Sequence, residues 1–425
     1  MNKTMIKLDN AAKIYPAAMT KDWNSVYRVS VYMKDDINSA SLKQAVCDLA
    51  KRFPSFYVQL YKGFFWDYLK GVENFDIVEK DTQCPCRPMP VGNFDKPMFR
   101  VLYRENRIAV EFFHSITDGT GATIYLKTLI ARYLELQGFT IEKQFGVLDI
   151  NTPPSESELE DSFQRLYRKD LKSNRKEDDA YQFLPNKKEN YLQIKSGIIP
   201  IDELKKITKL KYNCTITEYL AGIYALAFIE QYHKDNSKSK KKVIKISIPV
   251  NLRPYFGSDS LRNFASFANI DINPKECKTL ADAIRIIKQK NSKMITKENL
   301  QLNVSTNVAE EKMFVTKIAP NFLKKPFMKI GFHLFGERKY TSVFSNVGLL
   351  KVPQSMEPHI DNFEFIIGET LLNRIYASAV GVKNNLTVTL SAVTESTEVQ
   401  DFFFNTIAND GINFKLKTNK MVIAA

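Results

Sequence analysis

Histidine and tryptophan are scarce in this chain, with four and two copies among 425 residues, and cysteine is nearly as rare, with five. Cys47, Cys84, Cys86, Cys214 and Cys277 are odd in number and scattered. Only Cys84 and Cys86 are close, and no second pair or neighbouring histidine completes a metal-ligand set, so no metal is expected. They read as reduced thiols, which excludes a disulfide scaffold. Long apolar runs are missing too. The longest, YLAGIYALAFI from Tyr219 to Ile229, falls short of the ~20 residues of a membrane span and reads as a buried helix. The opening MNKTMIKLDNAAKIYP has no apolar signal core, so a cytoplasmic protein without a transmembrane segment is expected. Several chemical signatures are also absent. There is no Gly-x-Ser-x-Gly elbow, no Walker loop, no complete Gly-x-Gly-x-x-Gly and no His-Glu-x-x-His.

What is present is ordinary for a globular chain: 44% hydrophobic and 25% charged residues. Single cores seldom grow beyond ~250–300 residues, so this length suggests two bodies. Basic residues outnumber acidic ones, 61 to 47, for a net charge of +14. Such a surface attracts phosphate-bearing partners. The charge is not gathered into an arginine stripe, and no aromatic-plus-basic RNA signature occurs, so no nucleic-acid partner is expected. The densest basic run, Lys238–Lys242, falls between a helix and a strand and reads as a solvated loop or a phosphate-docking site.

Along the first half, SVYRVSVYM (Ser25–Met33) alternates as a strand does. SASLKQAVCDLAKRF (Ser39–Phe53) then forms an amphipathic helix, with Leu42, Ala45, Val46, Leu49 and Phe53 on one stripe. FYVQLYKGFFWDYL reads as two strands around Lys62-Gly63, and MFRVLYRENRIAVEFFH as a hairpin across Arg104-Glu105-Asn106. From Asn151 to Asn190 the chain turns polar and loses its periodicity, as a connector does. The expected division is a first half over 1–172, a connector over 173–190 and a second half over 191–425.

The second half repeats the first. RIAVEFFHSITDGTGATIYLKTLI, from Arg107, and LTVTLSAVTESTEVQDFFFNTI (Leu386–Ile407) are each an alternating strand, a polar turn and a helix. A partner strand precedes each. Ungapped pairing sets Ala392 opposite His114 and Ser396 opposite Asp118. Duplication predicts two similar α/β halves with a site between them, where ligands favour such interfaces. Only the first copy keeps the polar residues, which gives them a chemical rather than architectural role.

His114 ends the first strand. A neutral imidazole, with a pKa of ~6.5, can accept a proton near neutral pH. Four residues on, Asp118 begins a turn in which Gly119 is expected to take backbone angles closed to other residues. Its carboxylate either orients the ring or pairs with an arginine and fixes the turn.

His114-Ser-Ile-Thr-Asp118-Gly119 resembles the His-x-x-x-Asp-Gly signature of the CoA-dependent acyltransferase superfamily. Chloramphenicol acetyltransferase, condensation domains, wax ester synthases and alcohol O-acetyltransferases belong to it. IPVNLRPYF (Ile248–Phe256), FSNVG (Phe344–Gly348) and the opening LDNAAKIYP are similar to later and earlier segments of its stand-alone members, in order. The resemblance implies an α/β fold of two chloramphenicol-acetyltransferase-like halves in a pseudo-dimer, with an active-site tunnel between them. It implies His114 as general base, deprotonating a hydroxyl or amine that attacks a thioester without an acyl-enzyme. Asp118 would be structural, paired with Arg253, and Ser345 and Asn346 would stabilise the oxyanion. Acyl-CoA is the implied co-substrate, with no permanently bound cofactor, and a small molecule is the acceptor. Condensation domains carry a histidine where this chain has Phe113, and the plant branch's Asp-Phe-Gly-Trp-Gly is missing. The departures favour a free acyl-CoA donor and a small acceptor, and the expected reaction is O-acylation. Condensation on an acyl-carrier-protein thioester, and a non-catalytic binding homologue, are the alternatives.

Overall fold

The computed structural model describes residues 5–19, 25–73, 75–90, 95–171, 177–185, 188–235, 242–313, 319–370 and 372–419. Of the basic run Lys238–Lys242, only Lys242 lies within them, and the connector is described only in part.

The first alternating run becomes β2 (Val26–Met33), after a short β1 (Met5–Lys7). Its odd positions, Tyr27, Val29, Val31 and Met33, enter an apolar core. Of its even positions, Arg28 and Ser30 are buried as well. Arg28 is 1% exposed and held by Glu111 and Asp81 on the opposite face. Helix α1 (Ser39–Leu49) is capped by the Asn38 side chain, which accepts from the amides of Ala40 and Ser41. It buries Leu42, Ala45, Val46 and Leu49, with Phe53 buried just past its end. There follow β3 (Val58–Tyr61), β4 (Tyr68–Gly71), β5 (Val78–Lys80), and the hairpin β6 (Phe99–Arg104) and β7 (Arg107–Phe113). Helix α2 (Gly119–Glu135) completes the first half.

Single helical turns at Glu156–Leu159 and Ser162–Arg165 lie in the polar connector. Next come β8 (Lys188–Pro200), α3 (Ile201–Leu210), α4 (Ile216–Lys234), β9 (Ile244–Asn251) and β10 (Ala265–Ile272). The run from Tyr219 to Ile229 lies inside α4 and is buried on all sides. Among the described residues there follow α5 (Leu280–Met294), α6 (Lys297–Glu311) and α7 (Asn321–Gly331). The chain ends with β11 (Ser342–Leu349), β12 (Ile360–Ile367), β13 (Ile375–Val382), β14 (Asn385–Thr394), α8 (Glu398–Asn409) and β15 (Lys415–Thr418).

The repeat is visible in the sheets. One sheet runs β12-β2-β7-β6-β5, and the other contains β15-β8-β14-β13-β11 before continuing to β9 and β10. In both five-strand sets the first three pairings are antiparallel and the fourth is parallel. The halves therefore form a pseudo-dimer. Counting from the helix starts shifts the sequence pairing by one residue. Thr397, not Ser396, takes the cap position that Asp118 holds, because β14 continues inside its sheet to Thr394. The expected division leaves β12 in the second half, yet its hydrogen bonds carry it into the first sheet beside β2. There β12 also lies across the second sheet, accepting at Ile367 O from Ser391 at 2.7 Å and at Glu364 from Ser196 at 2.7 Å.

Candidate active site

His114 stands one residue beyond β7, and its amide is bound to Ser25 O at 2.8 Å. Its imidazole is held on three sides. Tyr15 stacks on it, ring centres 4.6 Å apart, and Tyr27 lies tilted at 4.8 Å. The third contact is polar: Nδ1 is 3.2 Å from Oδ1 of Asn263. The far end of that amide decides the tautomer. Asn263 Nδ2 and its backbone N–H both point to Oδ2 of Asp9, at 3.3 Å each. A carboxylate accepts, so the NH2 group faces Asp9 and the carbonyl oxygen faces His114. Nδ1 then carries the proton, and Nε2 is left with its lone pair. Burial pushes the His114 pKa down, against smaller upward pulls from its own backbone, Asp118, Asn263 and Asp9. The ring is therefore neutral at pH 7.

Asp9 is 0% exposed, and its Oδ1 accepts from Ala12 N at 2.7 Å. Burial raises its pKa, opposed by the nearby Arg262 and the hydrogen bonds from Ala12 and Asn263. The segment carrying Asp9 and Tyr15 is clamped over the histidine turn by Ser115 Oγ, which donates to Ala12 O at 2.9 Å.

Asp118 does not orient the ring. It caps α2, with Oδ1 accepting from Thr120 and Gly121 at 3.1 and 3.2 Å. Its Oδ2 accepts from Arg253 Nη1 at 2.9 Å and from Phe264 N at 2.8 Å. Arg253 in turn donates to Ser260 O at 2.7 Å and Arg262 O at 2.6 Å. The loop 257–264 thus wraps the turn, and Thr117 Oγ1 adds a 2.6 Å bond to Leu261 O.

Gly119 differs from expectation. It opens α2 and lies outside the positive-φ glycines, so the turn demands no special backbone angle there. A Cβ on it would meet Phe365 of β12 at 3.8 Å and, across the seam between the halves, Val347 at 3.9 Å. The glycine that space requires is Gly121, where a Cβ would fall 2.1 Å from Thr117 Oγ1 and 2.3 Å from Leu261 O.

Val347 belongs to β11, where the parallel register with β13 breaks between Asn346 and Leu349. Asn346 pins that break: Nδ2 donates to Thr217 Oγ1 at 2.9 Å and Oδ1 accepts from Gly348 N at 2.9 Å. Both ends of its amide are engaged. Ser345 is half-buried and follows Phe344, which is 0% exposed in the second core, so alternation turns Ser345 away from that core. The structure thus brings His114, Asp118, Gly119 and Arg253 together and sets the Ser345–Gly348 segment across the seam. Sequence reading missed Asp9, Tyr15, Tyr27 and Asn263. An aspartate inside the apolar LDNAAKIYP was the one available signal; Asn263 reaches His114 only through the fold.

No family model matches the chain, and no curated relative was found. Solved structures do match over almost its whole length. Polyketide synthase associated protein 5 from Mycobacterium tuberculosis is 12% identical, with a TM-score of 0.63 over 96% of this chain and 98% of its own. TRI101 of F. sporotrichioides, solved with coenzyme A and T-2, is 11% identical, with a TM-score of 0.61 over 98% of this chain and 100% of its own. The starter condensation domain of rhizomide synthetase, solved as a mutant with C8-CoA and Leu-SNAC, gives 11%, 0.59, 96% and 95%. The fold is that shared by CoA-dependent acyltransferases and condensation domains.

Proposed function

We propose that the protein transfers an acyl group from acyl-CoA to the hydroxyl of a small acceptor, with His114 as general base. The observation that carries this reading is the chain Asp9–Asn263–His114, which leaves Nε2 as a proton acceptor on a neutral ring. Nε2 takes the hydroxyl proton as the acceptor oxygen bonds to the thioester carbonyl carbon. The carbonyl oxygen becomes an oxyanion, for which Ser345 offers a hydroxyl from across the seam. Asn346 acts indirectly, because both ends of its amide are engaged in holding β11 next to Ser345. Collapse breaks the C–S bond, and the departing thiolate takes the proton back from Nε2. Ester and CoA leave, with no acyl-enzyme. Asp118 and Arg253 hold the turn and take no part in proton transfer. Acyl-CoA is a co-substrate. That TRI101 was solved with coenzyme A together with T-2 or deoxynivalenol supports this donor and a small-molecule acceptor.

The test is thiol release from acetyl-CoA and longer acyl-CoAs against a panel of alcohols and amines, with His114→Ala alongside. Acceptor-dependent release that disappears in the variant establishes the reaction. Activity with an acyl-carrier-protein thioester alone transfers the protein to condensation chemistry.

A further inference from the structure

Helix α7 (Asn321–Gly331) faces the wrong way for a helix of a globular protein. Three of its polar side chains, Asn321, Lys324 and Lys325, turn toward the body of the protein. Asn321 donates to Asp67 Oδ1 at 2.7 Å and to Gly63 O at 3.1 Å. Lys324, 6% exposed, lies 3.6 Å above the ring of Trp66, and Lys325 pairs with Asp67 at 2.8 Å. Its apolar side chains point outward. Phe322 is 69% exposed, Leu323 51%, Phe327 76% and Ile330 55%. The loop beside it adds Phe64 and Phe65, 68% and 47% exposed and packed edge to face, and Phe64 O accepts from Asn321 N at 2.7 Å. A contiguous apolar surface of this kind marks an interaction site.

Charge identifies what covers it. Lys62 and Lys329 are exposed at its rim, and residues 319–336 contain no acidic side chain. Asp67, the acid that α7 contacts, is buried and paired. A second copy of the chain docking here would set lysine against lysine, which costs association. An anionic lipid surface satisfies both features: phenylalanine and leucine enter the headgroup boundary while lysines meet phosphates. At 11 residues α7 is too short to span, so it would lie in the interface plane. A groove of 540 Å³ opens beneath it, lined by Pro16, Ala17, Met19, Leu60 and Phe322. Its far wall is the short helix that carries Tyr15 to His114.

From these observations we infer that α7 and the Phe64–Phe65 loop dock the protein on anionic membranes, with the groove beneath opening towards the bilayer. Co-sedimentation with phosphatidylcholine vesicles, with and without phosphatidylglycerol, tests this without any turnover, so its outcome is independent of the acyltransferase reading. The wild-type protein should sediment with anionic vesicles, less so in high salt. Phe322→Glu with Phe327→Glu should lower the bound fraction at least tenfold, with circular dichroism unchanged. Leu210→Glu, at a 79% exposed residue of α3, serves as the control and should bind as wild type does. Three results would overturn the inference: no sedimentation of the wild type, equal binding to neutral vesicles, or a double variant that still binds. So would light scattering showing a dimer that the double variant abolishes, since the surface would then belong to a second copy.

Discussion

Asn263 and His114 come from different halves of the chain, 149 residues apart, and meet at 3.2 Å. Because Asp9 fixes the other end of the Asn263 amide, the contact sets which imidazole nitrogen is protonated. Asn263→Ala should therefore lower kcat at least about tenfold with little change in KM, as loss of a tautomer-fixing partner does. Nitrogen-15 NMR of imidazole-labelled protein reads the cause directly. The His114 signal should shift from the Nδ1-protonated form towards a mixture. A single unchanged tautomer with unchanged kcat would remove Asn263 from the mechanism.

For His114→Ala, turnover should fall by about 10²–10⁴, the usual contribution of a general base. Thermal unfolding should remain near wild type. Turnover within a few-fold of wild type would end the general-base assignment.

With His114 as the proposed base, its depressed pKa should set the pH profile. The base works when neutral, so kcat/KM should fall on acidification through a pKa below the usual ~6.5 and stay flat up to neutrality. Stability follows the same sign. The unfolded chain takes up the proton first, so this group's contribution is full above ~6.5 and is lost as pH falls towards the folded value. An acid limb centred above 6.5 would contradict the burial argument.

Asp118→Asn should act through stability. Its new NH2 would confront the guanidinium of Arg253 or the amides it now serves, and removing one partner of a buried ion pair costs about 3–5 kcal/mol. Both side chains of the pair are under a tenth exposed, so little solvent screening applies. Denaturant titration measures the loss. A variant as stable as wild type would deny Asp118 its bracing role.

The two glycines of the turn should separate cleanly. Gly121→Ala drives a methyl into Thr117 and Leu261 O, and should cost about 1–3 kcal/mol or more, as overpacking does. Gly119→Ala meets only ordinary contacts and should fold normally. Gly119→Phe has no room at the seam between Phe365 and Val347, so activity should suffer before stability. Melting curves and turnover on the three proteins decide it.

Much of this was legible beforehand because period and capping are local. The apolar stripe of α1 lies where its spacing put it, and the strand–turn–helix repeat marked both halves. The one-residue error between the copies arose because β14 continues in its sheet past the point where β7 ends. The partnership of Asp118 with Arg253 rested on resemblance; no spacing rule connects residues 135 positions apart. Asn263 and Tyr15 were illegible for the same reason. Gly119 was misread because an Asp-Gly pair signals a turn, whereas here Asp118 is a helix cap and Gly119 the first helical residue.

The route of β12 also bears on how the protein is made. Asn362 pairs with Tyr32, so the sheet begun by the first few dozen residues gains its edge strand only after most of the chain has been synthesised. Until then β2 presents an open edge, the kind that invites pairing with other chains. A fragment ending in the connector would retain His114 but lack the strand that closes its sheet. Cutting this chain in the connector therefore separates the first sheet from one of its own strands.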